Sequence, residues 1–146
     1  MELSSDPTLL EPQSSSYPTP SAVELASPED LISEIIQSPE FPTGTGNVSV
    51  YVGSESGNVR YIGITNDPER RFLQHLRSGT IRETLDYHVL KDAVGLSRMQ
   101  ARVIEQNLIN YYRLNSVNYP IYNKINSIAP RYWNDNGIIF KISIGF

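Results

Sequence analysis

The sequence contains no cysteine, which excludes disulfide bonds and thiolate metal sites and leaves the redox compartment undefined. It also lacks any run of about 18 apolar residues, so no part of it suits a membrane-spanning helix. Residues 1–4 have neither a basic region nor an apolar core, and we therefore expect no standard signal peptide. What remains, in 146 residues of which 39% are hydrophobic, is room for one domain with a modest core and a tail.

Basic residues are missing from the first third of the chain. Residues 1–46 hold eight of the 16 acidic residues and no Lys or Arg, whereas residues 47–146 hold all 12 Lys and Arg. The whole-chain net charge of −4 therefore conceals a mildly basic C-terminal part. That part is compatible with the binding of phosphate groups but does not require it.

The same N-terminal stretch, residues 1–46, is rich in serine and holds seven of the ten prolines, so we interpret it as an acidic linker or tail. One short helix is expected inside it, where Ser27 and Asp30 fit a capping box and Pro28 takes the first helical position. The apolar stripe of this helix comprises Leu31, Ile32, Ile35 and Ile36. A helix this short is marginal alone, so we expect it to dock on the domain, or alternatively on a partner.

Residues 47–146 are predicted to form the domain proper, with an α+β fold. Two β-rich runs, at residues 48–52 and 59–64, flank a Gly-containing turn and predict a hairpin. Residues 85–91 predict a third strand, and residues 138–146 alternate as an extra C-terminal strand does. The expected architecture is a small antiparallel sheet of about three strands, flanked by helices.

The first helix of this domain follows the second strand directly. Asn66 or Asp67 can cap it, and Pro68 stands at its first position. Arg71 and His75 are one turn apart and therefore share a face of the helix. We expect the apolar residues on the other flank to pack inward, namely Phe72, Leu73 and Leu76.

The second helix is predicted to run from Ser97, with Gln100 completing a capping box, to about Arg113. Its apolar stripe comprises Ala101, Ile104, Leu108, Ile109 and Tyr112. Glu105 falls within that stripe. A buried carboxylate is costly unless it is paired, bound to a metal or exposed to a cleft, so Glu105 is the most anomalous residue of the chain.

The sequence resembles the GIY-YIG endonuclease family over roughly residues 47–130. The second signature of that family is nearly intact as Tyr61-Ile62-Gly63, with Arg71 ten residues and His75 fourteen residues after Tyr61. The first signature reads Ser49-Val50-Tyr51 instead of Gly-Ile-Tyr. Glu105 matches the metal-binding Glu of the family, and Asn123 matches its C-terminal Asn, with Asn126 as the alternative.

The resemblance implies a GIY-YIG-like endonuclease that uses Mg²⁺ or Mn²⁺ to hydrolyse phosphodiester bonds of nucleic acid, with DNA favoured over RNA. It implies that Glu105 binds the metal, since Mg²⁺ needs few protein ligands when phosphate and water complete its shell. Arg71 would contact the scissile phosphate through its guanidinium group. Either Tyr51 or Tyr61 would take the proton of the attacking water, and the sequence leaves this choice open.

Further residues are assigned by the same resemblance. His75 would orient a tyrosine or relay a proton, and Asn123 would orient a group by hydrogen bonding. We expect additional substrate contacts from Gly63, Arg70 and Lys124. Tyr87 and His88, on the third strand, are interpreted as sheet and surface residues.

Three segments, at residues 62–71, 101–106 and 123–128, are similar to the nuclease modules at the C-termini of bacterial polymorphic toxins of the Rhs and contact-dependent types. This similarity implies a monomeric antibacterial toxin domain with a cognate immunity protein as a partner. It would be cytoplasmic as an isolated chain, or secreted and delivered to the cytoplasm of a target cell.

Two other functions stay open at this stage. One is a catalytically silent nucleic-acid-binding module on the same fold, which the altered first signature suggests. The other is a repair, restriction or homing enzyme of the same family. Restriction and homing usually need a separate sequence-reading domain, and residues 1–46 are too short and too acidic to supply one.

Overall fold

The computed structural model describes residues 25–141 and has an α+β fold, as the sequence predicts. Its main elements are α1 (Pro28–Ile36), β1 (Ser49–Glu55), β2 (Asn58–Thr65), α2 (Pro68–Leu76), β3 (Asp86–Val89) and α3 (Arg98–Asn115). Short 3-10 helices lie at Ile81–Thr84, Pro130–Tyr132 and Asn134–Asn136. No helix within the described residues is long and apolar enough to cross a membrane.

Each main helix begins where a polar side chain caps its first turn. Ser27 before α1 and Asp67 before α2 each accept a hydrogen bond at 3.2 Å from the amide three residues ahead. Before α3, Ser97 accepts from the Gln100 amide at 3.1 Å, and the Gln100 side chain accepts from the Ser97 amide at 2.9 Å. The predicted capping box at Ser97 is therefore confirmed.

The hairpin turn is tighter than the sequence suggests. It consists of Ser56 and Gly57, whose φ angles are 51° and 83°. Two central residues with positive φ match the twist of the flanking strands, so β1 and β2 pair right up to the turn. β1 therefore continues through Gly53 to Glu55, which the sequence assigned to the loop.

All strand pairs are antiparallel, and the strand order is β2-β1-β3. The register places Tyr51 opposite Gly63 and places Gly53 opposite both Tyr61 and Tyr87. Directly opposed residues point to the same side of a sheet. One face of the sheet thus carries three tyrosines arranged around two glycines.

The apolar core contains residues of the sheet, α3 and α1. Its members include Val50, Val52 and Ile62 from the sheet, with Ala101, Ile104, Leu108, Ile109 and Tyr112 from α3. These α3 positions are at most 2% exposed, which confirms the predicted stripe. The hydrophobic effect of this burial holds the sheet against α3.

The helix α1 docks on α3, so the expectation that it docks on the domain is confirmed. The Tyr111 hydroxyl accepts a hydrogen bond from the Ala26 amide at 3.0 Å, and the Tyr112 hydroxyl donates to the Ala26 carbonyl at 2.9 Å. The buried face of α1 comprises Leu31, Ile32 and Ile35. Ile36 was predicted to join it but is 42% exposed, because it lies about 90° around the helix from the centre of that face.

No strand follows α3 within the described residues, so the prediction of an extra strand is wrong for residues 138–141. The amides of Ile139 and Phe140 donate instead to the side-chain oxygen of Asn107, at 2.8 and 3.1 Å. The side-chain oxygen of this buried asparagine thus accepts the hydrogen bonds that a neighbouring strand would otherwise accept. Residues 142–146, like residues 1–24 of the predicted tail at residues 1–46, lie outside the described range.

The packing of α2 confirms the prediction for Phe72, whose ring packs against Tyr51 and Tyr87, but not for the other predicted residues of the helix. His75 is 2% exposed, whereas Leu73 and Leu76 are 43% and 49% exposed. The physical reason is the surface that α2 covers, which is the tyrosine-bearing face of the sheet and offers a hydroxyl partner to an imidazole. A polar residue is therefore the better fit at the centre of this contact.

Candidate active site

Tyr51 lies at the centre of the candidate site and is completely buried. Its ring crosses directly over Gly63 on the neighbouring strand, where a Cβ atom would overlap the ring and the hydroxyl group of Tyr51. Gly63 is therefore required for packing, because only glycine leaves room for the ring. The structure places Gly63 beneath Tyr51 and not on the open surface that a substrate would contact.

The Tyr51 hydroxyl links two residues of α2. It lies 2.7 Å from Nε2 of His75 and accepts a hydrogen bond from Nε of Arg71 at 3.3 Å. Because Arg71 can only donate, we assign the phenolic proton of Tyr51 to the bond with His75. Burial raises the pKa of Tyr51, and the hydrogen bond and charge of Arg71 only partly oppose this effect.

Aromatic rings enclose His75 on two sides. The Tyr87 ring stacks on it with centroids 4.6 Å apart and an interplanar angle of 9°, and the Tyr61 ring meets it edge-on at 5.2 Å. Burial, together with the positive charges of Arg71 and Arg82, lowers the pKa of His75 to about 4. A neutral imidazole is consistent with the acceptor role of Nε2 towards Tyr51.

The state of His75 gives a testable pH dependence. We expect its imidazole proton signals in NMR spectra to titrate with a midpoint near pH 4, and His88→Gln assigns the signals by removing the other histidine. The unfolded chain binds this proton below its ordinary pKa of about 6.5, so the contribution of His75 to stability should fall as the pH drops from about 6.5 to 4. A midpoint above pH 6 would contradict the buried geometry.

Tyr87 and Arg82 belong to this cluster, although sequence reasoning missed them. The Tyr87 ring lies against Gly53, where a Cβ atom would come within 2.6 Å of it, and its hydroxyl donates to the Arg82 carbonyl at 2.6 Å. Burial raises the pKa of Tyr87 to about 12. The signal for Tyr87 is its position opposite Gly53, which becomes visible only when the sheet register is known.

A cleft with a volume of about 340 Å³ adjoins the aromatic cluster. It is lined by side chains from β2, the 3-10 helix at Ile81–Thr84, α3 and the loop after α3, including Tyr61, Arg82, Glu105, Tyr122 and Lys124. Tyr61 therefore borders both the cluster around Tyr51 and the cleft that contains Glu105. The guanidinium carbon of Arg82 lies 5.0 Å from the centre of the Tyr61 ring.

Glu105 projects from the middle of α3 into this cleft and is half-buried. Burial raises its pKa, against the opposing effects of a hydrogen bond from Ser127 and the charges of Arg102 and Arg98. A carboxylate in this position destabilises the folded chain unless a cation or a proton compensates for it. The fold thus holds Glu105 in an unfavourable place that faces open space.

The donor set around Glu105 fits a hard divalent cation of the kind that the family resemblance implies. Within residues 25–141, no group of three or more acidic or histidine side chains lies together. A cation held by one carboxylate must therefore take its other ligands from water and substrate. Mg²⁺ binds in this way, through one or two carboxylates plus substrate phosphates, so the residues present suit a site that the substrate completes.

The two candidate asparagines are both engaged by the protein itself. The Asn123 side chain accepts from the Ile62 amide at 2.9 Å and donates to the Ile62 carbonyl at 2.7 Å, so it ties the loop after α3 to the edge of β2. The side-chain oxygen of Asn126 accepts from Gln106 at 3.1 Å and from Arg113 at 2.7 Å. Each asparagine therefore positions part of the cleft wall. Asn123 does so by holding the loop after α3 against β2, the strand that carries Tyr61.

The remaining predicted contact residues lie apart from one another. Lys124 is exposed and lines the cleft. Arg70 lies on the solvent face of α2, 3.6 Å from the carboxylate of Asp67, and is not among the cleft residues. Of the two, Lys124 is therefore the one placed to meet a ligand in the cleft.

Taken together, the structure brings Tyr51, Tyr61, Arg71 and His75 into one cluster and places Glu105 in the adjoining cleft. The chain matches no family model, curated protein or solved structure in comparisons with known proteins. The geometry and chemistry of the site itself therefore indicate what the protein can do.

Proposed function

We propose that the protein is a metal-dependent endonuclease that hydrolyses phosphodiester bonds, with DNA favoured as its substrate. The observation that carries this proposal is Glu105, a half-buried carboxylate that faces a cleft also lined by Tyr61 and two cationic side chains. A carboxylate for a metal, cations for phosphate and a hydroxyl group for water are the parts that phosphodiester hydrolysis needs.

Of the two tyrosines, Tyr61 is the one that reaches the cleft. Tyr51 is 0% exposed and its hydroxyl is already engaged by Arg71 and His75. We therefore assign to Tyr61 the orientation of the attacking water, by hydrogen bonding through its phenolic oxygen. Tyr51 acts behind it as a positioning residue that fixes the orientation of Arg71.

Arg71 is not among the residues that line the cleft and belongs to the adjoining cluster, where its Nε donates to the Tyr51 hydroxyl and its Nη1 to the side-chain oxygen of Gln74. Desolvation alone would lower its pKa, but the hydrogen bond to Tyr51 and the neighbouring phenol groups of Tyr51 and Tyr61 raise it. The guanidinium group therefore stays charged and retains donors that can bind two phosphate oxygens. When bound at Glu105, Mg²⁺ or Mn²⁺ would stabilise negative charge on the leaving oxygen.

A second candidate is a catalytically silent nucleic-acid-binding module on the same fold. The complete burial of Tyr51 favours it, since a buried phenol also fits a purely structural role. Glu105 argues against it, because binding phosphate alone gives no reason to keep a destabilising carboxylate in the cleft. The antibacterial toxin assignment is a narrower prediction that depends on the sequence resemblance.

Cleavage of plasmid DNA and of tRNA, in Mg²⁺ and in EDTA, tests the proposal. We expect wild-type protein to cleave at least one substrate in Mg²⁺, and Arg71→Ala to lower the rate by roughly 10²–10³-fold because an electrostatic contact to the phosphate is lost. Arg131→Ala is the matched control, since Arg131 is exposed, lies over Tyr132 and belongs neither to the cleft nor to the cluster around Tyr51. Binding without any cleavage would favour the silent module, and equal rates for wild type and Arg71→Ala would contradict the proposed site.

A further inference from the structure

The charge of Arg82 has no protein partner in the described part of the chain. Its guanidinium group lines the cleft, and no salt bridge among residues 25–141 includes it. Its hydrogen bonds there involve only its backbone amide and carbonyl groups. The five N–H donors of the side chain are thus available to a ligand, apart from the stacking contact with Tyr61.

Arg60, which lies over the cleft residue Tyr122, shows how a structural arginine is bound by the protein. Its guanidinium carbon lies 4.2 Å from the centre of the Tyr122 ring, so it also stacks on a tyrosine. However, it forms a salt bridge to Glu55 at 2.5 Å and donates to the Pro120 carbonyl at 2.8 Å. Arg60 therefore has its charge and donors satisfied by the protein, whereas the Arg82 side chain has no such partner within residues 25–141.

The position of Arg82 is fixed by contacts that do not use its side chain. Its carbonyl accepts the 2.6 Å hydrogen bond from Tyr87, and its amide donates to the Thr80 hydroxyl at 3.2 Å. Tyr87 in turn stacks on His75, which contacts Tyr51. Because the backbone of Arg82 is held in advance, only its side chain has to be ordered when it binds an anion.

Arg71 and Arg82 flank the same tyrosine. The Tyr61 ring lies beneath Arg82, and the phenol group of Tyr61 raises the pKa of Arg71. Two cations around one aromatic residue repel each other, and this repulsion is relieved when an anion binds. Both charges also act on His75, so the two guanidinium groups lie near the same imidazole.

We propose that Arg82 binds a backbone phosphate of the nucleic-acid strand, adjacent to the phosphate that Arg71 holds. This inference depends on the proposed function, because it specifies how the same site takes its substrate. It assigns Arg82 as a substrate-binding residue that contacts the phosphodiester backbone and not the bases. The contact is therefore independent of base sequence.

The test is the salt dependence of DNA binding. We would measure the dissociation constant for a fluorescent 20-base-pair duplex by anisotropy, in EDTA to prevent cleavage, between 50 and 200 mM salt. Each phosphate contact contributes about 0.9 to the slope of log K against log salt concentration, so Arg82→Gln should reduce the slope by about 0.9. Arg82→Lys should restore most of the slope, since it retains the positive charge.

Arg131→Gln provides the matched control. The Arg131 guanidinium carbon also stacks on a tyrosine, 4.7 Å from the centre of the Tyr132 ring, but the residue does not line the cleft. The Arg131→Gln variant should therefore leave the slope of log K against log salt concentration unchanged. An unchanged slope for Arg82→Gln, or an equal reduction for Arg131→Gln, overturns the assignment while leaving the proposed function intact. If wild-type protein binds neither duplex DNA nor single-stranded RNA, both proposals fail.

Discussion

Replacing Glu105 with glutamine should abolish cleavage and at the same time make the protein more stable. Cleavage should fall by roughly 10³-fold or more, because the loss of a metal ligand removes several kcal/mol of charge stabilisation from the transition state. The free energy of unfolding at pH 7 without metal should rise by about 0.5–1 kcal/mol, because the amide removes a carboxylate that the fold desolvates. Glutamine retains an oxygen that can accept the hydrogen bond from Ser127.

The pH dependence of this stability gain follows from the raised pKa of Glu105. Between the ordinary pKa of a Glu carboxyl and the raised one, the folded chain holds more protons than the unfolded chain, so the stability of the wild type falls as the pH rises. The gain in stability from Glu105→Gln should therefore be present at pH 7. It should disappear below about pH 4, where the Glu105 carboxyl is neutral in both the folded and the unfolded chain. Glu34→Gln, at an exposed position on α1, should change neither cleavage nor stability appreciably. A substantial loss of stability in Glu105→Gln would show that the carboxylate is a structural partner.

The second large effect is expected at Gly63. An alanine there places its Cβ atom within the ring of Tyr51, and the hydroxyl group of that ring is held by hydrogen bonds with His75 and Arg71. Overpacking of this kind costs about 1–3 kcal/mol, so we expect Gly63→Ala to lower the free energy of unfolding by that amount. Any shift of Tyr51 also moves Arg71, and cleavage should be lost in the protein that remains folded.

A double-mutant cycle isolates this contact. Tyr51→Leu shortens the side chain that collides with the new Cβ atom, so Gly63→Ala should cost less in the Tyr51→Leu background than in the wild type. Urea denaturation of the four proteins measures the coupling. Strictly additive costs would mean that Gly63 is required for some reason other than the Tyr51 ring.

The sequence was most informative where contacts are local or periodic. The caps at Ser27, Asp67 and Ser97 depend on residues three positions apart, so reading the chain is sufficient to find them. The buried stripe of α3 follows from helical periodicity, and the same pattern singled out Glu105 as anomalous.

The parts that sequence reasoning missed depend on partners distant in the chain. His75 is buried and Leu73 is exposed because the Tyr51 hydroxyl on β1 offers His75 a hydrogen-bond partner. Helix periodicity carries no information about that partner. Gly53 was assigned to a loop because glycine usually interrupts strands, yet here it makes room for Tyr87 on β3. Near the C-terminus, the amides of Ile139 and Phe140 donate to the side-chain oxygen of Asn107 on α3, and not to a neighbouring strand as the predicted C-terminal strand would require.

The most direct test of the central claim is the single-turnover rate of duplex DNA cleavage by the full chain in Mg²⁺. Wild type, Glu105→Gln and Glu34→Gln should be compared in the same preparation, with EDTA as the blank. The proposed function predicts metal-dependent cleavage by wild type and Glu34→Gln, and none above the blank by a folded Glu105→Gln. Cleavage by Glu105→Gln at the wild-type rate would contradict it.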